Sequence, residues 1–543
     1  MKGSTVIAKV LKAEGVEVVF CFPNNPLIEA AAVEGIRPII TRTERTAINM
    51  ADGYSRASDG RKIGVTMTQD GPGIENAFGG VAQAYADSTP LLVLPRGPER
   101  RRMGLPTTFD PVPNYRGVTK WADTILHGDQ IPGRMRRAFT YLRSGRPRPV
   151  LLQTPGDVMN EEVDGLAYEP ARRTRSAGDP SDIREAARIL LSARRPVLHA
   201  GQGVLYAEAW DELRELAELT GAPVMTTTLG KSAFPENHRL ALGTGGTSVS
   251  GLVAHFLPRA DVIFSVGASL SRTLASCPLP SGKTIVQCTV DDGDLNAEYN
   301  LSHAVIGDAK LVLAQLVEEV KRRLGERGAM VQYPVEGEVG QVKREWLGRF
   351  MPKLTSDEVP LNPYRVFWEL NQRLPRERTI MTHDSGNVRD QLVPFYEATA
   401  PRSYLGWGNS TQLGFSLGVA MGAKLAQPEK MVVHCLGDTA LGMCGMDLET
   451  KARERIPVLT VLINNGAMGG YEHYMPLATE KYRSKFLTGE YLGLARSLGG
   501  WAERVERPEH IGPAIQRAVA VVDGGEPAFL EFITKEEGEF SRL

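Results

Sequence analysis

Short apolar runs alternate with segments of helical periodicity along most of the 543-residue chain. Val16–Phe22, Leu91–Leu94 and Val458–Ile463 are apolar runs that stop at turn residues, which is typical of buried strands in a parallel sheet. Thr5–Glu14 instead carries its apolar residues on one helical face, and Gly15 ends it. The alternation predicts an α/β protein built from doubly wound parallel sheets.

Two stretches interrupt this alternation. Asn160–Pro180 is charged, contains prolines and lacks periodicity, and Glu326–Pro360 has no clear period either, so both are predicted to be linkers. They leave three domains, at residues 1–165, 181–326 and 361–538. The first and third have a similar length and strand pattern, which is what two related doubly wound units would show.

Composition and charge exclude several classes of function. The net charge of −1 gives no long-range attraction to nucleic acid or to acidic membranes, and no stretch approaches the roughly twenty apolar residues of a membrane span. The five cysteines are scattered without metal-type spacing, which favours a reducing cytoplasm. We therefore expect a cytoplasmic protein that acts on a small molecule and binds neither nucleic acid nor membrane.

One βαβ unit near the C-terminus carries the clearest chemistry. A strand that begins at Met431 stops at Gly437-Asp438, Ala440–Ile456 has a helical pattern, and the next strand stops at Asn464-Asn465. Because the crossover makes the two strands parallel, Asp438 and Asn465 follow strand ends at the same edge of the sheet.

The residues at this edge have the chemistry of a magnesium diphosphate site. A carboxylate and an amide oxygen are hard ligands that suit Mg²⁺, and Gly437–Ala440 leads into a helix N-terminus, which favours phosphate. The alternative for either residue alone is an Asp that caps a helix and an Asn in a turn.

Asp438 and Asn465, 27 positions apart, resemble the GDG…NN signature of thiamine-diphosphate (ThDP)-dependent enzymes, with Thr439 in place of the second glycine. The resemblance implies that Asp438, Asn465 and the backbone carbonyl of Ala467 bind the metal. It also implies that the first domain binds the pyrimidine and the third binds the diphosphate and Mg²⁺.

Other segments extend the resemblance to the rest of the cofactor. Glu44 is followed eight residues later by Asp52-Gly53-Tyr54, as in the family's pyrimidine-binding segment, so Glu44 is the expected catalytic residue that activates the cofactor. Thr411 and Leu413 match the positions whose carbonyl and bulky side chain hold the cofactor bent. The expected cofactor contacts are Pro23, Asn76, Gly386, Asn387, Thr411, Leu413, Gly437, Asp438, Thr439, Ala440, Asn465, Ala467 and Met468.

The resemblance leaves the central domain and the assembly open. Relatives hold FAD, a nucleotide or nothing in the central domain, where Gly201-Gln202-Gly203 is either part of a nucleotide site or a plain αβ turn. In the family the activating Glu and the metal site meet across a subunit interface. This implies a homodimer or homotetramer.

The segments Asp70–Asn76, Tyr85–Gly97 and Thr227–His238 most resemble acetolactate (acetohydroxyacid) synthases and acyl-CoA lyases. We therefore expect decarboxylation of a 2-oxo acid with carboligation. The alternatives are a 2-hydroxyacyl-CoA lyase, a 2-oxoacid decarboxylase, or a non-catalytic subunit that has kept the fold.

The chain also departs from the synthase pattern. Arg45 follows the Glu where a Gln is usual, Thr107–Pro111 lacks the usual Phe-Gln pair, and Tyr471–Tyr474 replaces a Trp-bearing segment. For Glu472, His473 and His383, a substrate contact and a purely structural role stay equally open. The identity of the substrate is therefore not fixed by these motifs.

Overall fold

The computed structural model describes residues 1–165, 167–273, 275–327 and 335–543. Within these residues the chain forms three six-stranded sheets, and every strand pair in them is parallel. Helices lie between successive strands and cover the sheets, so the predicted fold class, three doubly wound α/β domains, is confirmed.

The first sheet lies within residues 18–155 and has the strand order β2-β1-β3-β4-β6-β5. Its strands are β1 (Val18–Phe22), β2 (Arg37–Ile40), β3 (Gly64–Thr68), β4 (Leu91–Gly97), β5 (Trp121–Thr124) and β6 (Val150–Pro155). Its helices are α1 (Gly3–Ala13), α2 (Asn25–Val33), α3 (Glu44–Ala57), α4 (Pro72–Ala86), α5 (Pro111–Tyr115), α6 (Ile131–Arg143) and α7 (Gly156–Asn160).

The second sheet lies within residues 196–306 and has the order β12-β11-β10-β7-β8-β9. Its strands are β7 (Pro196–Ala200), β8 (Val224–Thr227), β9 (Ala241–Gly245), β10 (Val262–Val266), β11 (Thr284–Thr289) and β12 (His303–Ile306). The accompanying helices are α8 (Pro180–Ser192), α9 (Gln202–Tyr206), α10 (Trp210–Thr220), α11 (Gly251–Phe256), α12 (Ala309–Arg327) and α13 (Glu336–Leu354). This order is that of dinucleotide-binding folds, and it reverses between β7 and β10.

The third sheet lies within residues 379–533 and has the order β14-β13-β15-β16-β18-β17, the same pattern as the first. Its strands are β13 (Thr379–His383), β14 (Tyr404–Leu405), β15 (Met431–Gly437), β16 (Val458–Asn464), β17 (Trp501–Val505) and β18 (Ala528–Ile533). Its helices are α14 (Pro363–Arg373), α15 (Asn387–Leu392), α16 (Ser416–Ala426), α17 (Asp438–Cys444), α18 (Leu448–Arg453), α19 (Pro476–Tyr482), α20 (Tyr491–Ser497) and α21 (Pro508–Asp523).

Two expectations about helices are wrong. The predicted linker Glu326–Pro360 contains the long helix α13, whose Trp346 is buried against Gly251 of α11. The predicted helix Ala440–Ile456 is two short helices, α17 and α18, separated by a 3-10 turn. The turn ends at Asp447, whose carboxylate accepts hydrogen bonds from the Arg42 amide and the Thr450 hydroxyl. These side-chain hydrogen bonds accompany the interruption of the helix at Asp447.

Helices α3 and α16 join the first and third domains through glycine contacts. A Cβ on Gly53 would lie 2.1 Å from the Val419 carbonyl oxygen, and one on Gly422 would lie 1.9 Å from that of Met50. Only glycine lets the two backbones come this close. Because Glu44 is the first residue of α3, this contact fixes where Glu44 lies relative to the third domain.

Candidate active site

The third sheet reverses its strand order between β13 and β15, and ligands of open α/β sheets bind at the carboxyl ends of such strands. Helix α15 begins at Asn387 just beyond β13, and α17 begins at Asp438 directly after β15. Neither helix is capped by the side chain of its N-cap residue, although the Thr439 amide in the first turn of α17 donates to the Asp438 carboxylate. Two helix N-termini of this kind suit a diphosphate.

Asp438 is 3% exposed and lies at the centre of this edge. Its carboxylate accepts hydrogen bonds from the amides of Thr439 (2.7 Å) and Gly466 (2.8 Å). Burial raises the pKa of Asp438 above its ordinary value, and these amide bonds oppose that shift. No Lys, Arg or His of the described ranges forms an ion pair with it, so a bound cation would supply the missing positive charge.

Asn387, Asn465 and Gly469 meet beside Asp438. A Cβ on Gly469 would lie 2.5 Å from Nδ2 of Asn387 and 3.7 Å from Nδ2 of Asn465. The Asn465 side-chain oxygen accepts from the Ala467 amide at 3.1 Å, which tightens the turn that carries the Ala467 carbonyl. The candidate ligands from two strand ends therefore lie at one edge of the sheet.

The remaining third-domain positions border this edge. Gly386 precedes Asn387 with φ +86°, and no atom lies within 4 Å of a Cβ built there, so open space faces it. Thr439 and Ala440 form the first turn of α17 after Gly437. The Met468 amide donates to the Lys485 carbonyl at 2.8 Å, which ties the end of the turn to the segment that follows α19.

In the first domain, Glu44 is 4% exposed at the start of α3. Thr43 caps the helix by accepting from the Thr46 amide, and Asn76 on α4 donates to Glu44 Oε2 at 3.4 Å. Gly73 lies against Glu44, because a Cβ there would be 3.4 Å from Glu44 Oε1. Pro23 follows β1, which together with β3 flanks the reversal of strand order in this sheet.

Thr411 and Leu413 lie in the segment between β14 and α16, which contacts the first domain. The Gln412 amide donates to Gln83 on α4 at 3.3 Å, and the Asn409 amide donates to Asp87 just beyond α4 at 3.0 Å. Both Thr411 and Leu413 are half-buried. The segment is therefore held by the first domain of the same chain.

Three carboxylates that shape the site were not identified from the sequence. Asp384 is fully buried and accepts from the amides of Gly414 and Ser416, each at 3.0 Å, which fixes the end of the Thr411–Leu413 segment. Asp447 binds the Arg42 amide before Glu44, and Asp87 binds Asn409. The available signal was weak: Asp384 directly follows the fully buried strand β13, where a carboxylate needs a partner.

The structure shows the surroundings of His383, Glu472 and His473, whose roles the sequence left open. His383 is fully buried, stacks on Trp407 at 5.4 Å, and burial lowers its pKa to about 3, so it is a neutral core residue. The Glu472 carboxylate forms an ion pair with Lys485 at 2.8 Å. The His473 side chain is 81% exposed, which is the solvated alternative for that residue.

A cleft with a cavity volume of about 160 Å³ lies at the reversal point of the central sheet, between the ends of β7 and β10. Gly203 and Gly267 line it, and a Cβ on Gly201 would lie 2.3 Å from the Gly267 carbonyl oxygen, so these glycines let two βα turns pack closely. The buried Oε1 of Gln202, also in the lining, has no hydrogen-bond partner among the described residues.

Comparisons with known proteins agree with this architecture. Three family models match the chain: "Thiamine pyrophosphate enzyme, N-terminal TPP binding domain" at residues 1–123, the "central domain" at 183–316 and the "C-terminal TPP binding domain" at 384–532. Benzoylformate decarboxylase from Polynucleobacter necessarius has the same fold, with a TM-score of 0.84 and 19% identity over 100% of both chains. The chain therefore belongs to the family of enzymes that depend on thiamine pyrophosphate, also called thiamine diphosphate.

The curated relatives narrow the branch. A probable acetolactate synthase large subunit from Methanocaldococcus jannaschii is 30% identical over 98% of this chain and 92% of its own length. The acetolactate synthase isozyme 3 large subunit of Escherichia coli is 28% identical over 98% and 94%, respectively. Within the family, this chain is an acetolactate-synthase-like ThDP-dependent enzyme of the lyase or transferase type.

The donor set at Asp438 fits a magnesium ion that also binds the cofactor's phosphates. Among the described residues no three His, Cys, Asp or Glu side chains form a metal cluster. At this edge Asp438 carries a carboxylate, and Asn465 carries an amide oxygen beside the turn that contains Ala467. This sparse set of hard oxygen donors is usual for Mg²⁺ that keeps phosphate oxygens as further ligands.

In the part of the chain described, no helix is both long and apolar enough to cross a membrane.

Proposed function

We propose that the protein uses ThDP and Mg²⁺ to make or break a carbon–carbon bond next to a carbonyl, by decarboxylating a 2-oxo acid and ligating the product to an acceptor. The observation that carries this proposal is the edge where Asp438, Asn465 and Asn387 meet beside two uncapped helix N-termini. When bound, the thiazolium ring supplies the electron sink that no side chain provides.

Each part of the site has a defined task. Asp438, Asn465 and the Ala467 carbonyl hold Mg²⁺, while Gly386, Asn387 and the Gly437–Ala440 turn bind the diphosphate through amides and side-chain donors. Pro23 and Met468 border the bound cofactor. The Thr411 carbonyl would accept a hydrogen bond from the cofactor, and the Leu413 side chain would pack against it.

Glu44 would hydrogen-bond the pyrimidine ring, and Asn76 orients its carboxylate through the 3.4 Å hydrogen bond. Its burial at the start of α3 would keep water away from that contact. Glu44 is therefore the catalytic residue of the proposal, and Asn76 both positions it and contacts the cofactor.

The active site is completed by a second subunit, in a homodimer or a homotetramer. Within one chain, the described hydrogen bonds connect Glu44 with Asn76 and not with the metal edge. Two aromatic side chains of the segment that follows Met468 are exposed: Tyr474 is 87% exposed and Tyr482 is 80% exposed. Exposed aromatic residues next to an incomplete site support an interface between copies of the chain.

The central cleft binds FAD or a nucleotide. The strand order reverses beneath it, and the unpartnered Gln202 Oε1 and the close Gly203–Gly267 packing support a ligand there. A nucleotide there supports the second candidate function, a 2-hydroxyacyl-CoA lyase, because coenzyme A contains an adenine nucleotide. A simple 2-oxoacid decarboxylase is the remaining alternative.

We further propose that the enzyme works in the cytoplasm, because all five cysteines are unpaired and four of them are buried.

The chemistry is tested by incubating purified protein with ThDP and Mg²⁺ against a panel of 2-oxo acids and 2-hydroxyacyl-CoAs. Carbon dioxide, free aldehyde and 2-hydroxy-2-alkyl-3-oxo acids are measured separately. Carboligation product without free aldehyde is expected; aldehyde from every 2-oxo acid and no ligation would favour the decarboxylase, and turnover of acyl-CoA alone would favour the lyase.

A further inference from the structure

A second cleft, in the first domain, is lined by three arginines. We name it the Arg96 cleft; its lining residues are Asp70, Gly71, Arg96–Glu99, Arg101, Arg102 and Thr107–Phe109, and its cavity volume is about 270 Å³. One wall is the loop between β3 and α4, which contains Gly71. Two residues further along, Gly73 lies against the Glu44 carboxylate.

Two of the three arginines carry uncompensated charge. Arg101 pairs with Glu99 at 2.7 Å, whereas Arg96 and Arg102 form no ion pair with any carboxylate among the described residues. Asp70 is the other carboxylate of the lining, on the opposite loop. Arg96 is half-buried, whereas Arg102 is exposed at the rim of the cleft. A half-buried guanidinium without a counter-ion favours binding of an anion, so Arg96 is the main anion-binding group.

The fold makes room for Arg96 in this cleft. Arg96 extends from the end of β4, and its guanidinium lies over Gly156 at the start of α7. A Cβ on Gly156 would be 2.9 Å from Nη2 and 3.0 Å from Nε of Arg96. A larger residue at position 156 would displace the guanidinium, so glycine there leaves room for Arg96 in its present position.

A polar group without a partner lies in the same lining. The Oγ1 atom of Thr108 is buried and has no hydrogen-bond partner among the described residues. Buried hydroxyls are normally satisfied, so this one is free for a ligand. With the unpaired Arg96 and Arg102 it forms a set of donors suited to an oxoanion, whose oxygens accept several such bonds at once.

We propose that the Arg96 cleft binds a second anionic group on the substrate, a carboxylate or phosphate separated from the reacting carbonyl by several bonds. The inference rests on the proposed function, because only a substrate that reacts beside Glu44 would bring such a group here. It names the substrate class: a dianionic 2-oxo acid or a phosphate-bearing acyl donor or acceptor, rather than pyruvate alone.

The test compares three single variants of the complete enzyme with ThDP and Mg²⁺. Arg96→Gln and Arg102→Gln remove the unpaired charges, and Arg101→Gln is the matched control, with the same change of charge at a guanidinium already paired with Glu99. The KM and kcat for pyruvate, 2-oxoglutarate and a 2-hydroxyacyl-CoA are measured, together with calorimetric binding of succinate and of inorganic phosphate.

The Arg96→Gln variant is expected to raise the KM for the substrate with a second anionic group by at least about tenfold, because that substrate loses a charged hydrogen bond. The KM and kcat for pyruvate, which has no second anionic group, should change less than about twofold. A change with 2-oxoglutarate and succinate assigns the carboxylate, and one with the acyl-CoA and phosphate assigns the phosphate. Equal effects on pyruvate, or equal effects of Arg101→Gln, would overturn the proposal.

The calorimetry separates this inference from the proposed function. If no compound is turned over, the proposed function fails, and loss of succinate or phosphate binding in Arg96→Gln still supports the cleft. If pyruvate is turned over but wild-type enzyme binds neither anion and prefers no dianionic substrate, the cleft proposal fails alone.

Discussion

Arg56 on α3 is a fully buried charge that joins the first and third domains. Its side chain is 1% exposed; Nε donates to Asp52 at 2.6 Å, Nη2 to Asp87 at 3.2 Å and Nη1 to the Gly406 carbonyl at 3.0 Å. Asp52 and Asp87 are both fully buried. The three charges therefore depend on one another, because none of them reaches water.

We predict that Arg56→Met destabilises the protein by about 3–5 kcal/mol, since it keeps the apolar length of the side chain but leaves two buried carboxylates without a cation. Burial already raises the pKa of Asp87, and loss of the cation raises it further. An acid whose folded-state pKa is raised favours the folded state at low pH and loses that contribution as pH rises through the folded pKa. The damage should therefore be larger at pH 8 than at pH 5.

The assay is thermal unfolding at both pH values, with hydrogen exchange of α3 followed by mass spectrometry because three domains need not unfold together. Arg100→Met is the control, since Arg100 pairs with Asp157 and Glu161 at a partly exposed position, and exchange in α3 should not change. Adding Asp52→Asn and Asp87→Asn to Arg56→Met should restore part of the loss. An unchanged melting temperature and unchanged hydrogen exchange of α3 in Arg56→Met would show that the buried Arg56 cation does not stabilise the protein.

Three further predictions concern the metal edge, the helix contact and a buried histidine. Asp438→Asn should weaken Mg²⁺-dependent ThDP binding by about 10–100-fold in calorimetry, and an unchanged affinity would contradict its role as a ligand. Gly422→Ala should lower stability by about 1–3 kcal/mol in melting experiments, because its Cβ would lie 1.9 Å from the Met50 carbonyl oxygen, whereas Gly442→Ala, with open space around it, should not. Burial lowers the pKa of His199 to about 4, so unfolding between pH 4 and pH 6.5 takes up a proton. The free energy of unfolding should therefore fall from about pH 6.5 towards pH 4, by at most about 1.4 kcal/mol per pH unit. A His199→Gln variant whose free energy of unfolding has the same slope against pH would contradict this.

Most strands could be predicted because buried strands of a parallel sheet form continuous apolar runs in the sequence. The expected strand Val458–Ile463 matches β16 to within one residue, and the run from Met431 matches β15 up to Gly437. The meeting of Asp438 and Asn465 at one edge also followed from the sequence, since a right-handed crossover makes consecutive strands parallel. Their roles as ligands stay predictions.

What the sequence did not reveal depends on contacts between distant segments. Helical periodicity ran through Gly445–Asp447, yet Asp447 is bonded to the Arg42 amide, 405 residues earlier in the chain, and the helix is interrupted there. Asp384 was equally hidden, because its partners Gly414 and Ser416 come from a segment 30 residues and more away. Local patterns do not encode such long-range bonds.

The central claim is that Glu44 activates a cofactor bound at the Asp438 edge. Its most direct test is Glu44→Gln, which keeps the size and hydrogen-bonding capacity of the side chain but removes the carboxylate. Turnover of 2-oxo acids should be abolished, while calorimetry with Mg²⁺ should still detect ThDP binding through the diphosphate. Unchanged turnover in Glu44→Gln would contradict the account.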